Sequence, residues 1–256
     1  MKVYLNGTYI GVYVNAEQRN KQFLRNRFGT TSDMWLYDMG DIGQWELESG
    51  DPHSPTFNAL CFSPFQLVAK KGGGTGTCPQ PSDAQLESLL NQYIDMRAML
   101  VQGAVDAITN NRDALFTHGK NVLFVDFADP SRRRVYYPWD LDAVFRTIDN
   151  NIYATNSAKN KYTQSPYQSV ILNHPAFRQQ YNQLLLGLIG FAGPLSIARI
   201  NAFLDAAEPA VQAALATDPY VGSFRSGQFG SLKIYLAKRI SIIEAQVAAN
   251  VPAPRT

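Results

Sequence analysis

Tyr137-Pro138-Trp139-Asp140-Leu141-Asp142-Ala143-Val144-Phe145 closes the apolar run Arg134-Val135-Tyr136-Tyr137 and sets two carboxylates two residues apart behind a proline and a tryptophan. A strand that delivers an aromatic residue and then an Asp-x-Asp pair suits a hard divalent cation, whose preferred ligands are carboxylate oxygens completed by phosphates. Bulky apolar neighbours on both sides predict that the acids are half-buried. Burying two like charges costs several kcal/mol unless a cation or donors compensate. Metal binding is therefore the expected role of Asp140 and Asp142.

Upstream of this stretch the same logic assembles a site. Asn121 opens an apolar segment, residues 121–127, and a turn at Asp129-Pro130-Ser131 joins it to residues 135–139. A hairpin folded there returns Asp140 to the side of Asn121. Asp113 sits on the loop ahead of the hairpin. An acid and an Asn on a loop, followed by a hairpin ending in an acid, is the arrangement protein kinases use to orient the acceptor hydroxyl and hold metal on phosphates. Such chemistry asks for positioning and charge neutralisation more than covalent catalysis.

Around this hairpin the chain changes grammar. Residues 1 to about 71 read as β-rich: Val3-Tyr4-Leu5, Asn6-Gly7 and residues 9–14 carry a tight-hairpin signature. Phe23 to Phe28 before Gly29 reads as a short helix with a glycine stop. Residues 35–37, 45–48 and 65–70 read as strands. The Gly/Pro/Ser-rich stretch 72–82 reads as a connector. From Ser82 onward apolar residues recur at helical spacing (Leu86, Leu89, Leu90, Tyr93, Ile94), predicting helices near 83–94 and 95–110. Three more are expected at about 166–191, 194–215 and 229–249. The expected architecture is α+β: a small β-rich lobe, a larger helical lobe, and a β-hairpin inserted into the latter.

Composition excludes several classes. The chain has 256 residues, 45% hydrophobic and 17% charged, with net charge +2, which leaves no electrostatic footprint for nucleic acid or an anionic membrane. No apolar run reaches the length of a spanning helix; residues 184–191, the longest candidate, read as a buried helix. Arg132-Arg133-Arg134 reads as a solvated turn. Cys61 and Cys78 bracket Gly72-Gly73-Gly74-Thr75-Gly76 and are either a disulfide or two free thiols. With His53, His118 and His174 they lack the spacing of a zinc site. The glycine run lacks the strand–turn–helix setting of a phosphate loop and reads as a connector. His118 reads as an exposed loop histidine, and Ser63 and Ser165 have no His/Asp partners to make a serine hydrolase. Met1-Lys2 runs straight into strand pattern with no signal peptide, so the N-lobe is expected to be incomplete at its start and the parent chain longer.

These features resemble the CotH kinase-like family, named after spore-coat protein H. The segment from Val3 to Tyr13 is similar to the family's strand–Asn-Gly–strand–Gly-x-Tyr segment. Glu17 with Phe23-Leu24 and Phe28-Gly29 resembles its Glu-rich helix approach. Asn111-x-Asp113 leading to Lys120-Asn121 resembles its Asn-Trp-Asp…Asn segment, Pro138-Trp139-Asp140-Leu141-Asp142 its most specific motif, and Leu232-Lys233 through Arg239 and Gln246 its closing helix.

The resemblance implies an atypical protein-kinase fold of two lobes. The β-rich N-lobe would span residues 1–75, and the helical C-lobe residues 82–250 with the metal and catalytic hairpin at 121–142. It also implies Mg²⁺- or Mn²⁺-dependent transfer of the ATP γ-phosphate to Ser or Thr of secreted or coat proteins. Asp113 maps to the catalytic acid, Asn121 and Asp140 to metal ligands, and Asp142 to a supporting ligand. Arg112 replaces the usual Trp, and Leu36-Tyr37-Asp38 places an acid where the family carries lysine. The replacement expected for that lysine is Lys70, with Lys71 beside it, reaching the cleft and pairing with Glu17 as the kinase Lys–Glu pair does; the other reading is a solvated lysine before the glycine loop. Two further functions stand beside a kinase: a pseudokinase or structural surface domain of the same fold, and a metal-dependent phosphohydrolase.

Overall fold

The structure, a computed structural model, describes residues 1–13, 15–41, 44–49, 54–65, 78–146, 148, 151–153, 165–221 and 227–249. Its order is β1 (Lys2–Leu5), β2 (Thr8–Val12), α1 (Lys21–Phe28), β3 (Met34–Asp41), β4 (Gln44–Ser49), α2 (Pro55–Ala59), α3 (Asp83–Tyr93) and α4 (Met96–Thr109). Then follow β5 (Val122–Phe127), β6 (Val135–Pro138), α5 (Pro166–Ile171), α6 (Pro175–Ile189), α7 (Ile197–Leu215) and α8 (Gln228–Ala249). Mixed helix and sheet make this an α+β protein. Residues 84–110, expected to be helical, are so apart from a break at Ile94 and Asp95 and the left-handed cap at Asn110.

The site hangs on one antiparallel sheet of order β4-β3-β5-β6. The hairpin β5–β6 is inserted in the helical part of the sequence, yet in space its first strand pairs along β3 from Met34↔Phe127 to Met39↔Val122. Side chains alternate across a strand, so β5, whose every residue is buried, feeds two cores. Val122 and Phe124 join Tyr37, Met39 and Tyr136 against the helices. Leu123, Val125 and Phe127 join Met34 and Leu36 beneath Phe23 and Leu24 of α1. Each fully buried Leu, Val or Phe contributes about 1.5–3 kcal/mol. β1–β2 form a separate two-stranded sheet. It is tied to the end of α7: Tyr9 OH donates to the Ala214 carbonyl at 3.3 Å and Val12 N–H to Asp218 Oδ2 at 2.6 Å.

Local signals explain most helix boundaries. Gly29 stops α1 in the left-handed region (φ 73°) with its N–H on the Arg25 carbonyl. Ser82 N–H donates to Gln85 Oε1 at 3.1 Å at the start of α3, and Asp95 Oδ1 accepts from Ala98 N–H at 2.9 Å at the start of α4. The break between them docks on the sheet edge, where Arg134 N–H donates to Tyr93 O at 2.8 Å and Asp95 N–H to Arg134 O at 2.9 Å.

Three expectations change and one helix goes unforeseen. Residues 166–191 form two helices, α5 and α6, because Pro175 lacks the N–H that would continue the first and instead starts the second. Residues 184–191 are only partly buried: Leu185 and Ile189 face the core, while Leu186 is exposed and Phe191, past the helix end, fully so. Short α2, started by Ser54 and Pro55, has no apolar period to reveal it. Phe65 lies in a turn, and the rest of the expected strand 65–70, with the glycine run, falls outside the described residues.

Arg134 is the largest correction. Arg132 and Arg133 are exposed as a turn should be, but Arg134 is 0% exposed. Its Nε and Nη2 grip Asp126 Oδ1 and Oδ2 at 2.7 and 2.9 Å, and the guanidinium stacks 3.8 Å from the Phe124 ring centroid. Ser54 Oγ also donates to Asp126 Oδ2 while accepting from Phe57 N–H at 2.9 Å, so the pair fastens α2 to the sheet. Cys61 and Cys78 form a disulfide. Among the described residues no helix is long and apolar enough to cross a membrane.

Candidate active site

The hairpin ends where the sequence reading places its chemistry. Asn121 N–H donates to the Met39 carbonyl at 2.9 Å, and Trp139 N–H to the Asn121 carbonyl at 2.9 Å. Asn121 thus joins β3 to the end of the β5–β6 hairpin, with Asn121 and Asp140 at neighbouring ends of that hairpin. Both have left-handed backbones, φ 57° and 51°, a conformation that Asn and Asp tolerate better than other side-chain-bearing residues. At Asp140 this kink turns the chain out of the sheet.

That kink corrects one expectation: Asp140 and Asp142 are not half-buried. Both are exposed, as is Leu141 between them, while of Ala143, Val144 and Phe145 only Ala143 is buried. Asp142, 68% exposed, has Arg146 Nη2 at 3.8 Å. Among the described residues no group of three His, Cys, Asp or Glu side chains gathers as a metal cage. The donor set at hand is smaller: the Asn121 amide oxygen and the Asp140 carboxylate, two hard oxygen ligands. Two such ligands fit Mg²⁺ or Mn²⁺ bound together with phosphates and water, the way Mg²⁺ is usually held.

Asp113 sits on a tightly built loop. Asn111 is its hub: Nδ2 donates to Asp106 Oδ1 at 3.0 Å, Oδ1 accepts from Asp113 N–H at 3.2 Å, and the carbonyl accepts from Thr117 Oγ1 at 3.0 Å. Phe116 anchors the loop in the core against Gly103, where an added Cβ would come within 2.3 Å of its ring. Arg112 N–H donates to Ala143 O at 3.1 Å and Phe145 N–H to Thr109 O at 2.8 Å. These two bonds stitch the Asp113 loop to the segment that follows Asp140 and Asp142. From α8, the buried Arg239 adds bonds to Ala107 O and Ile148 O, each at 2.9 Å.

Both carboxylate oxygens of Asp113 are engaged. His118 Nδ1 lies 3.1 Å from Oδ1 and Lys120 Nζ 3.3 Å from Oδ2, with the Asp113 side chain 20% exposed. His118 is buried, not exposed as its loop position suggested. The sequence reading gave Lys120 no role; its signal was its place directly before Asn121. Ser165, also buried, donates to Leu115 O and props this loop.

Of the residues expected at the nucleotide, Glu17 lies on the exposed side of α1. Bonds from Asn26 and Arg27 hold its carboxyl below the usual range. Lys70 and Lys71 fall outside the described residues. Asp38 is buried and ion-paired with Arg19, a cation the sequence reading did not single out.

Beneath the loop, burial pushes the Asp106 carboxyl up to about 7, against the opposing effect of its bond from Asn111. A carboxyl raised in the folded state keeps its proton there while the unfolded chain has lost it. Stability therefore falls as pH climbs from about 4 to about 7 and levels off above. Asp106→Asn is expected to remove that slope, worth up to about 4 kcal/mol at 1.36 kcal/mol per pKa unit. Urea unfolding at pH 5 and pH 8 checks it: equal slopes in wild type and variant contradict the assignment.

The fold is α+β, with Asn121 and Asp140 at adjoining ends of one hairpin and the Asp113 loop bonded to the segment that follows Asp140. The chain belongs to the CotH kinase family: the family model described as CotH kinase protein matches residues 75–246, more than half of its length. The matched range contains Asp113, Lys120, Asn121, Asp140 and Asp142; Glu17, Arg19, Asp38 and Lys70 precede it. No curated protein matches the chain. Membership points to a kinase-like function.

Proposed function

We propose that this protein is an atypical protein kinase that transfers the γ-phosphate of ATP to Ser or Thr hydroxyls of secreted or coat proteins, with Mg²⁺ or Mn²⁺. The observation that carries the reading is the Asp113 carboxylate, held at both oxygens by His118 and Lys120 on a loop bonded to the segment after Asp140. In this reading Asp113 accepts the proton of the acceptor hydroxyl and aims its oxygen at the γ-phosphorus. Lys120 holds the carboxylate in place through its other oxygen. Asn121 and Asp140 would hold the cation, with Asp142 supporting at the exposed rim. When bound, the cation neutralises charge on the phosphates. The Cys61–Cys78 disulfide supports an extracytoplasmic setting, since such bonds persist in oxidising compartments.

The exposure of Asp142 and its pairing with Arg146 favour a second reading, a nucleotide-binding pseudokinase of the same fold. Calorimetry with ATP and each metal separates the possibilities. Wild type is expected to bind ATP only with Mg²⁺ or Mn²⁺. Asp140→Asn, which removes charge but keeps a residue at ease in the left-handed region, is expected to lose that binding at unchanged melting temperature. Wild type that binds no ATP with either metal sinks the kinase reading; binding without transfer selects the pseudokinase.

A further inference from the structure

We propose that Arg19 is a phosphate-gripping residue of this site, aimed there by Asp38 and Trp139; the inference rests on the kinase reading. Arg19 lies just ahead of α1. One Nη donates to the Asp38 carboxylate, and Cζ stands 4.1 Å above the Trp139 ring centroid. The Asp38 side chain is 10% exposed, whereas that of Arg19 is 30% exposed. The pair is thus a buried anchor holding a cation that still reaches solvent.

Both anchors adjoin the residues proposed to hold the cation. Asp38 precedes Met39, whose carbonyl takes the Asn121 N–H. Trp139 gives its own N–H to Asn121 and immediately precedes Asp140. Arg19 therefore stands beside the strand ends where the nucleotide's phosphates would meet the metal.

A guanidinium presents five N–H donors in a planar fork. Asp38 engages one edge and the indole covers one face, which leaves donors for phosphate oxygens. Fixing the side chain beforehand removes rotamer entropy that binding would otherwise cost. Asp38 offsets the net charge, so the contribution comes from directed, charge-assisted hydrogen bonds, for which Arg suits phosphate better than Lys.

The test measures binding of Mg²⁺·ATP and of adenosine to full-length wild type, Arg19→Gln and Arg19→Lys, with melting temperatures. Arg19→Gln keeps a planar group for Trp139 but not the charge. It is expected to weaken Mg²⁺·ATP about 10- to 100-fold, the range for a lost charge-assisted bond, while adenosine binding holds. Arg19→Lys is expected to recover part of the loss. A purely structural Arg19 would lower the melting temperature and weaken both ligands equally, which overturns the proposal. So does Arg19→Gln binding Mg²⁺·ATP like wild type while Asp140→Asn does not, an outcome that leaves the kinase reading standing. Wild type that fails to bind Mg²⁺·ATP removes both.

Discussion

Asp113→Ala is expected to lower phosphoryl transfer about 10²- to 10⁴-fold, the usual loss for a general base, while ATP affinity stays within about twofold. The carboxylate is the only part of the proposed machinery that addresses the acceptor hydroxyl and not the nucleotide, so its removal separates turnover from binding. The fold should survive. The partly exposed pair with Lys120 is typically worth about 0–1 kcal/mol and the contact with the buried His118 about 1–3 kcal/mol, which lowers the melting temperature by several degrees without unfolding the protein at room temperature. Asp140→Asn fails in the complementary assay, losing nucleotide before transfer can be asked about. The check is initial rates of γ-phosphate transfer to a serine-containing acceptor protein, beside calorimetric ATP binding. Parallel loss of binding, transfer and melting temperature in Asp113→Ala would assign Asp113 to the architecture of its loop.

Arg134→Ala is expected to produce the largest stability loss, about 3–5 kcal/mol, the range for removing one partner of a buried ion pair. Asp126 and Arg134 are both 0% exposed, so alanine strands a carboxylate in a dry core and strips the Phe124 ring of its cation. Phe65 O and Tyr136 OH, each 3.4 Å from Arg134 Nη1, lose a donor as well. At about 2–4 °C per kcal/mol for a chain of this size, the melting temperature should fall by roughly 6–20 °C. Replacing both partners at once, Asp126→Leu with Arg134→Met, is expected to cost far less than either change alone, because no charge is left unpaired. Chemical unfolding of the two single variants and the double variant measures the coupling. A loss under about 1 kcal/mol for Arg134→Ala would show that water reaches Asp126.

What the sequence made legible was local. The hairpin of β5 and β6 was readable because Asp129, Pro130 and Ser131 interrupt two apolar runs, and Asp129 Oδ1 indeed takes the Ser131 N–H at 2.9 Å. The starts of α3 and α4 were readable from Ser82 and Asp95. The adjoining backbone positions of Asn121 and Asp140 followed from hairpin geometry alone. Contacts made across long separations were not legible. Arg134 reads as a turn residue because its neighbours are basic; its burial depends on Asp126 eight residues back and on Ser54, which lies 72 residues before Asp126. The exposure of Asp140 and Asp142 depends on one backbone rotation that no hydrophobic pattern encodes. Pairing of β3 with β5 joins segments about a third of the chain apart, and it sets Arg19 beside Trp139, 120 residues further along.

The left-handed backbone at Asn121 and Asp140 has a bearing on ancestry. Most side chains in that region cost roughly 1–2 kcal/mol, with Gly, Asn and Asp the tolerated choices, so folding alone selects for the residue types found there. A lineage that ceased to transfer phosphate would remain under the same selection and could carry both residues indefinitely. Asp113 is under no such constraint: it is not among the described residues with positive φ, and its backbone accepts any ordinary side chain. Among descendants of one ancestor, drift at position 113 is therefore the more faithful record of lost turnover, and retention at 121 and 140 records little beyond the shape of the chain.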